Sequence, residues 1–472
     1  MEIVRLNKDR KRALCILAAL LVFFMTMLAA CGVGVYNDSD QYITMHIHRE
    51  PLYPLFLCCF RTVIGDGYLP AAMAVQGILT ALGITVLSEY LTRRFHLHFW
   101  EEVLVVLLQL LPHLMTRYVS ALHIFLENSV MSEALCIPLF QFFLYFLLRM
   151  IFEDRRRDRV LSLLMAYLLS MTRGQIMTTI LMWAFIYCIG RFFVHSSPQS
   201  GSRKFTFVLH KIYRAVVVPL AVLLAVFGLR SLTVHVYNYF VTGYFMGNTY
   251  GQVNTLTNVI YACDKEDREV FEEGSLEQEF FDRFYAEADE QGLNYKYGGD
   301  TVKDRTAYLE EHHDILKFQV LEADMSSYFF GLGKVDYYEQ SSMSDDMAGR
   351  MMRKLLPVCF GQWFYDYLLL CRNGFVRSIA VVHPLINWVA LLFYLAAAGL
   401  TLYLICVKKR YEAAFTMGVA LLFIAANVCA TSITIMCLSR YMIYGFSIFY
   451  IAFYLLLREM IKDQSWYRKR KG

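Results

Sequence analysis

Long apolar runs constrain the fold of this chain more than any other feature of its sequence. An α-helix needs ~20 mostly apolar residues to cross the hydrocarbon core of a bilayer. Runs near that length recur ten times: 13–35, 69–91, 102–120, 130–150, 160–172, 176–194, 214–233, 383–407, 412–436 and 442–458. The 472 residues are 57% hydrophobic and 18% charged, whereas soluble domains carry about 25% charged residues. The sequence therefore predicts an all-α polytopic membrane protein with about ten transmembrane helices, and excludes a soluble enzyme and a nucleic-acid binder.

Two of the apolar runs need a separate interpretation. The first follows a basic stretch and ends in LAAC (28–31), as a cleaved secretory signal does, but it is longer than the apolar part of a signal peptide. We interpret it as an uncleaved first helix. The fifth run, 160–172, is short, which is typical of a tilted or partly re-entrant helix.

Basic residues are concentrated in alternate loops of this predicted topology. The loops and termini on one side carry 26 Lys and Arg, whereas the short loops of the other side carry five. Because Lys and Arg are enriched in cytoplasmic loops, this contrast predicts a multi-pass protein of the cell membrane with both termini in the cytoplasm.

The orientation divides the chain into three predicted parts. Residues 1–233 form an N-terminal transmembrane module of about seven helices with a first outer loop at 36–68, and 383–472 form the last helices and a basic cytoplasmic tail. Between them, 234–382 is predicted to be a small helical extracytoplasmic domain. Its central part, 261–350, carries 23 acidic and nine basic residues. Such acidity is most often solvated surface, and the functional alternative is discrimination against anionic partners.

The outer domain shows helical patterns, and the outer loop shows a shorter one. A capping-box spacing, SLEQ (275–278), opens an amphipathic pattern, and two further patterns follow at 306–325 and 345–360. Segment 51–64 is apolar but too short to span a bilayer, so we predict an interfacial helix at the outer surface.

Ionisable residues gather at the predicted outer ends of the helices, where such groups mark functional sites by default. The candidates are Asp38, Asp40, His46, His48, Arg49, Glu50, Glu127, Glu133, Arg173 and Arg440. An arginine fork pairs well with a phosphate, and a carboxylate takes a proton from an attacking hydroxyl. A bundle that joins these ends would therefore suit a phosphate-linked donor held in lipid and a polar acceptor that arrives from water.

Three motifs carry a resemblance to the GT-C membrane glycosyltransferases, the group that includes protein O-mannosyltransferases and aminoarabinose transferases. The first is an acidic residue after helix one, four positions before an aromatic, in DSDQY (38–42). The second is REPLYPLFL (49–57), and the third is SRYMIYGFSIFY (439–450); MSEAL (131–135) and WFYDYLLLCRNGF (363–375) are similar too. The proline expected after RY is absent, and the family's DE pair is Asp38-Ser39 here.

The resemblance implies a GT-C fold and the transfer of a sugar from a polyprenyl phosphate carrier to a glycan, lipid or protein acceptor outside the membrane. It implies that Asp38 or Asp40 is the general base, with the spacing to Tyr42 favouring Asp38. Arg440 and Arg173 would hold the phosphate, and 51–64 would contact the lipid. The predicted substrate-binding residues are Arg440, Tyr441, Arg173, Glu127, Glu133, Tyr42, Arg49 and Tyr53.

A divalent metal is a further candidate partner of the outer loop. His46 and His48 form an HxH pattern that could bind metal together with Asp40 or Glu50, although two histidines in a loop are more often solvated. The 12 cysteines lie mostly in apolar runs, where they behave as small hydrophobes. No CxxC pair or zinc-type Cys/His spacing is present.

Other functions stay open at this point. A surface polysaccharide polymerase or ligase also has many helices and a large outer loop. A transporter is less favoured because repeat symmetry and mid-helix charges are not evident in the sequence. A non-enzymatic scaffold or sensor would need no convergent acids and arginines, and Asp38 and Asp40 could simply solvate a loop.

Overall fold

Helices account for all the regular elements in the described part of the chain, which covers residues 2–118, 123–194, 213–380 and 384–462 of a computed structural model. The helices of the first half are α1 (Glu2–Cys31), α2 (Ser39–Ile43), α3 (Leu52–Ile64), α4 (Tyr68–Phe95), α5 (Phe99–Tyr118), α6 (Ser132–Glu153), α7 (Arg156–Thr172), α8 (Thr178–Ile189) and α9 (Val218–Thr242). The others are α10 (Gly251–Tyr261), α11 (Leu276–Glu290), α12 (Val302–Ile315), α13 (Ala323–Gly331), α14 (Tyr337–Ile379), α15 (Pro384–Tyr403), α16 (Tyr411–Thr434), α17 (Ser439–Met442) and α18 (Tyr444–Ile461).

Nine of the described helices are long and apolar enough to cross a bilayer. They correspond to nine of the ten predicted runs, and the chain is an all-α, multi-pass membrane protein. The remaining run forms α7, which has only 17 residues, begins with RRDR and buries Asp158. At 1.5 Å per residue such a helix is about 25 Å long, short of the ~30 Å hydrocarbon core.

The spans differ in how much of their surface other helices cover. Only 17% of the apolar window is buried in the spans Ala215–Thr242 and Trp388–Lys408, against 67% in Ser132–Glu153. These two spans carry exposed apolar side chains such as Leu224 and Leu392, and the first span, Arg10–Cys31, is covered even less, at 11%. Because these faces are as apolar as lipid tails, they suit lipid contact, whereas α6 occupies the interior of the bundle.

The chain divides into two compact units. The first consists of Met1–Leu232, Ser378–Ala426 and Ser439–Gly472, and the second of Thr233–Arg377 and Asn427–Leu438. The predicted outer segment 234–382 therefore falls mostly in the second unit, which also takes in a short piece near the end of α16. The basic stretches 195–212 and 463–472, which contributed to the orientation prediction, lie outside the described residues.

Close approaches between α1, α4 and α6 set the core of the first unit. A Cβ on Gly77 of α4 would lie 3.1 Å from the Cβ of Phe24 on α1, so a larger residue there would push the two helices apart. A buried apolar cluster joins α1 and α4 to α5, with Leu20, Phe24, Ala81, Ile84, Val106, Leu110 and Phe125.

The second unit is built on aromatic packing. Phe280, Phe281 and Phe284 on α11 are almost fully buried in one cluster with α10, α12 and α14. The predicted cap at Ser275 is present, because its side chain accepts a hydrogen bond from the Gln278 backbone nitrogen at 3.3 Å. The Gln278 side chain accepts from the Gly274 backbone nitrogen, one residue before the expected partner.

The predicted interfacial segment forms α3, a 13-residue helix. Tyr53, Pro54 and Leu57 are buried on one face, whereas Leu55 and Val63 are exposed. One apolar face packs on the bundle and another stays open, as expected of a helix that lies along a membrane surface.

Candidate functional site

Two loops pair to place the start of the site. The backbone nitrogen of Gly34 donates to the carbonyl of Asn128 at 2.8 Å, and that of Val130 donates to the carbonyl of Gly34 at 2.9 Å. The hydroxyl of Ser39 then donates to the Val130 carbonyl at 2.8 Å. The loop after α1 is therefore fastened to the loop before α6, and Asp38 lies beside the first residues of α6.

Asp38 is held between two arginines that are distant in sequence. Its Oδ1 lies 2.9 Å from Nη2 of Arg49, and its Oδ2 lies 3.0 Å from Nη1 of Arg440. Burial opposes ionisation of this carboxyl, but Arg49, Arg440 and Arg173 together outweigh burial and hold the pKa of Asp38 below its usual value. Asp38 is therefore an ionised carboxylate at neutral pH, and 28% of its side chain is exposed.

Glu133, in the first turn of α6, is the second carboxylate of the site and is buried. Its Oε1 lies 2.7 Å from Nη1 of Arg173 and 4.0 Å from Nε of Arg440. The side chain of Glu133 is only 1% exposed. A buried carboxylate needs charged partners because water cannot solvate it, and the two arginines supply them.

Tyrosine rings order the three guanidinium groups. Arg173 and Arg440 both lie over the ring of Tyr441, at 4.2 and 4.9 Å from its centroid. Arg49 lies 4.8 Å from the centroid of Tyr42. These cation–π contacts fix the planes of groups that would otherwise be mobile. The tyrosines thus position the arginines.

We refer to Asp38, Arg49, Glu133, Arg173 and Arg440 as the arginine cluster. Three guanidinium groups face two carboxylates, so the cluster keeps one unneutralised positive charge. Its members come from the loop after α1, the loop before α3, α6, the loop after α7, and α17. An anion with several oxygen acceptors, such as a phosphate, suits such a group, because planar guanidinium forks bind oxyanions in a bidentate manner.

Two polar residues beside the cluster, Gln41 and Ser132, were not singled out from the sequence. The Arg49 Nε donates to Gln41 at 2.8 Å, and Ser132 lies between the Tyr42 hydroxyl at 2.9 Å and Arg173 at 3.4 Å. Gln41 precedes Tyr42 and Ser132 precedes Glu133, both predicted site residues. Their position next to these residues is the one sequence signal that could have identified them.

Glu50 lies next to the cluster and pairs with Arg230 of α9. The two are 180 residues apart, and the arginine falls inside an apolar run, which is a signal for function. A Cβ on Gly174 would lie 2.9 Å from Oε1 of Glu50, so a larger residue there would displace the Glu50 carboxylate.

Asp40 is not part of the cluster. Its side chain is exposed, and in the described part of the chain no ion pair joins it to the three arginines. Because α2 is helical, residues 38 and 40 point in directions about 200° apart. The two aspartates, which the sequence left as alternatives, therefore have different surroundings.

Glu127 lies away from the cluster, contrary to its predicted grouping with the outer arginines. It is fully buried in a 3₁₀ turn, Leu126–Asn128, where its Oε2 lies 2.8 Å from Nδ1 of His113. Its Oε1 accepts from Thr80 at 3.4 Å. The turn directs the side chain into the bundle, and sequence reasoning missed the partner because His113 stands alone in the apolar run of α5.

Tyr53 lies behind the cluster. Its hydroxyl donates to the Gln76 side chain at 2.8 Å, and its ring meets that of Tyr42 edge-on at 5.1 Å between centroids. Tyr53 thus packs against Tyr42, which contacts Arg49, and does not contact the arginines itself.

His46 and His48 contact each other, with 4.3 Å between ring centroids. Burial and the charge of Arg49 lower the pKa of His46, which favours a neutral imidazole. Among the described residues no group of three His, Cys, Asp or Glu side chains has a spacing that could hold a metal ion.

Known proteins provide no further identification. Comparison with protein-family models, curated proteins and solved structures found no match to this chain. The functional inference therefore depends on the geometry of the arginine cluster and on the membrane spans.

Proposed function

We propose that the protein is a membrane glycosyltransferase that moves a sugar from a polyprenyl phosphate carrier to an acceptor hydroxyl. The observation that carries the proposal is a partly exposed, ionised carboxylate, Asp38, held in one cluster with three arginines. The membrane spans α1 and α6 position part of this cluster, which would give a lipid-borne donor access to it. The resemblance to the GT-C glycosyltransferases supports the same reaction.

The arginines account for the phosphate side of the reaction. Arg440 contacts Asp38 and lies 4.0 Å from Glu133, so it is the arginine shared by both carboxylates. When the bond between the anomeric carbon and the phosphate oxygen breaks, its electron pair goes to the phosphate. Arg440 and Arg173 would stabilise that developing charge in a site with little water.

Asp38 accounts for the acceptor side. The acceptor hydroxyl oxygen forms the new bond to the anomeric carbon, and its proton passes to the Asp38 carboxylate. A carboxylate with a lowered pKa is a weak base, so it takes the proton late, when the hydroxyl is already attacking. Ionisation at neutral pH is what this role requires.

The lipid and the orientation complete the proposal. The exposed apolar side of α3, with Leu55, Val63 and Ile64, suits contact with the carrier lipid or the bilayer surface. The distribution of basic loops supports an outer-face reaction at the cell membrane with both termini in the cytoplasm. The acceptor, a glycan, lipid or protein, would then arrive from the outer aqueous side.

The experiment that tests the function is a donor-consumption assay on the full chain in proteoliposomes. The probes are polyprenyl phosphates carrying different sugars, supplied with cell-envelope acceptors, and mass spectrometry quantifies the donor and the released polyprenyl phosphate. We expect one donor to be consumed with one sugar added per acceptor. Empty liposomes are the control.

Other results of that assay would replace the proposal. A repeating product, or transfer of a whole glycan, would indicate a polymerase or ligase. Movement of an intact solute across the membrane would indicate a transporter. An arm with EDTA tests the predicted metal: a loss that divalent cations reverse would direct attention to His46 and His48.

The pH dependence of transfer provides a test of the arginine beside the base. Replacing Arg49 with Gln removes the largest charge that lowers the Asp38 pKa. The acid limb of the pH–rate profile should therefore move to higher pH, because Asp38 would become protonated sooner. Initial rates measured from pH 4 to pH 8 check this shift.

The matched control is Arg61→Gln, which removes an exposed arginine of the same region that donates to the Ile43 carbonyl and not to Asp38. Its acid limb should coincide with that of the wild type. The free energy of unfolding should also depend on the charge of Asp38. A carboxyl whose pKa is lowered by folding stabilises the fold above its unfolded pKa, and that contribution is lost as the pH falls through the lowered value. An unchanged limb in Arg49→Gln would remove Asp38 as the titrating base.

A further inference from the structure

A polar cavity of about 330 Å³ lies at the C-terminal ends of α4 and α6. Glu133 of the arginine cluster is in the first turn of α6, whereas Arg149 at the cavity lies 16 residues further along the helix, about 24 Å away. Its charged lining is formed by Arg93, Arg94, Arg149, Arg155, Glu89 and Glu153. It is therefore separate from the site of the proposed transfer.

Guanidinium groups dominate the polar lining of this cavity. Four arginines and two glutamates line it. Two further carboxylates lie outside the lining: Glu412 binds Arg94, and Asp158 binds Arg149 at 3.1 Å. With these included, the charges balance, so the cavity offers hydrogen-bond donors more than net charge. Because a guanidinium donates and never accepts hydrogen bonds, the matching ligand is rich in acceptor oxygens.

The carboxylates occupy only part of each guanidinium. Arg94 donates to Glu412 through Nε and Nη2, which leaves the Nη1 hydrogens for another acceptor. Arg155 contacts Glu153 through Nε, at 3.0 Å, and its side chain is 63% exposed. Arg93 contacts Glu89 through Nη2. Three arginines at the rim therefore keep donors that an oxyanion could take up.

The floor of the cavity is aromatic and also carries an unsatisfied hydroxyl. The rings of Tyr90 and Tyr145 meet edge-on at 5.5 Å between centroids. Tyr90 is 8% exposed, and its hydroxyl has no hydrogen-bond partner among the described residues. Buried hydroxyls are rarely left unpaired in native proteins, so this group indicates a ligand or water in the cavity.

The position of the cavity identifies the class of ligand. Arg93 and Arg94 end one membrane-spanning helix, and Arg149 lies near the end of another, where the phosphates of bilayer lipids also lie. We propose that this cavity binds the phosphate of an anionic lipid headgroup, with the arginines on the phosphate oxygens and the tyrosine floor beneath. Free phosphate shares this chemistry and is the alternative source.

The test uses the purified full chain in detergent and measures the thermal unfolding midpoint during ligand titration. The probes are dihexanoylphosphatidylglycerol, dihexanoylphosphatidylcholine and inorganic phosphate. We expect dihexanoylphosphatidylglycerol to raise the thermal unfolding midpoint at a lower concentration than dihexanoylphosphatidylcholine does. The double variant Arg93→Gln/Arg155→Gln should bind dihexanoylphosphatidylglycerol about ten-fold more weakly than the wild type does.

A matched double variant, Arg156→Gln/Arg157→Gln, removes two exposed arginines that directly follow Arg155 in the chain but do not line the cavity. It should bind like the wild type. Tyr90→Phe retains every arginine and should weaken binding about five-fold, which gives a second readout if the first variant does not fold.

The outcomes separate the two sources and also allow refutation. Inorganic phosphate that raises the midpoint at as low a concentration as dihexanoylphosphatidylglycerol would identify free phosphate as the ligand, whereas no rise at that concentration supports a lipid headgroup. Equal weakening in both double variants would mean that binding depends on general charge at this end, and the proposal would be wrong. The proposal would also be refuted if the wild type bound dihexanoylphosphatidylglycerol and dihexanoylphosphatidylcholine equally and phosphate had no effect.

Discussion

We expect Asp38→Asn to lower sugar transfer by about 10²- to 10⁴-fold, the usual contribution of a general base. The substitution keeps the shape of the side chain but leaves one acceptor oxygen where Asp38 offers one to Arg49 and one to Arg440, and it removes the charge that accepts the proton. Initial rates with the donor found in proteoliposomes provide the measurement. The loss should appear in the rate at saturating donor, because Asp38 acts on the acceptor.

Asp40→Asn is the matched control for this experiment. It makes the same chemical change two residues along the chain, at an exposed side chain outside the cluster. Its rate should stay within about two-fold of the wild type, since exposed substitutions have small effects. A loss in Asp40→Asn with full activity in Asp38→Asn would transfer the base to Asp40.

Asp38 also neutralises two arginines, so a structural effect has to be separated from a catalytic one. If Asp38→Asn merely loosened Arg440, the affinity for the donor and the thermal midpoint would both fall. If Asp38 is the base, donor affinity should persist, because Arg440 and Arg173, which bind the phosphate, keep their contacts with Glu133 and Tyr441. Equilibrium binding of polyprenyl phosphate to the variant distinguishes these two explanations.

The second large effect concerns the buried pair of Glu133 and Arg173. Replacing either partner alone with Met strands a charge in a nearly water-free site, and breaking such a pair costs about 3–5 kcal/mol. Replacing both with Met removes the stranded charge, and well-packed apolar replacements of buried pairs are often neutral in stability. We therefore expect the double variant to unfold near the wild-type midpoint and both single variants well below it.

Transfer activity should not follow stability in this series. The double variant lacks an arginine assigned to the phosphate, so it should remain inactive although it folds. Asp282→Asn is the control, because Asp282 pairs with Arg268 at an exposed site, where such pairs contribute about 0–1 kcal/mol. A double variant that regained both stability and transfer would show that the pair is only structural.

Neighbouring acids in the sequence illustrate the limit of prediction from pattern. Glu127 and Glu133 are six residues apart, one just before α6 and the other in its first turn, yet one pairs with His113 and the other with Arg173. Glu127 lies within a 3₁₀ turn that directs its side chain into the bundle, and the direction of the turn depends on packing against α4 and α5. Neither the turn nor the lone histidine has a periodic signal in the sequence.

Ion pairs between residues that are distant in the chain could not be predicted from the sequence either. Arg440 meets Asp38 across 402 positions, and Arg230 meets Glu50 across 180. The sequence marks each as an ionisable group near an apolar run, but not its partner. Partner choice depends on which helix ends become neighbours, and many arrangements of apolar helices bury similar surface.

The sequence by itself determined the membrane class and nine of the spans, because apolar length must match bilayer thickness regardless of what the helices pack against. It also indicated the polar segments from which the candidate site is built. Only the tertiary structure decided that Asp38 lies between Arg49 and Arg440, that Asp40 stays outside, and that Glu127 turns inward. The physical reason is that hydrophobic burial has no direction, whereas ion pairs and hydrogen bonds depend on distances of a few ångströms that only the packed helices set.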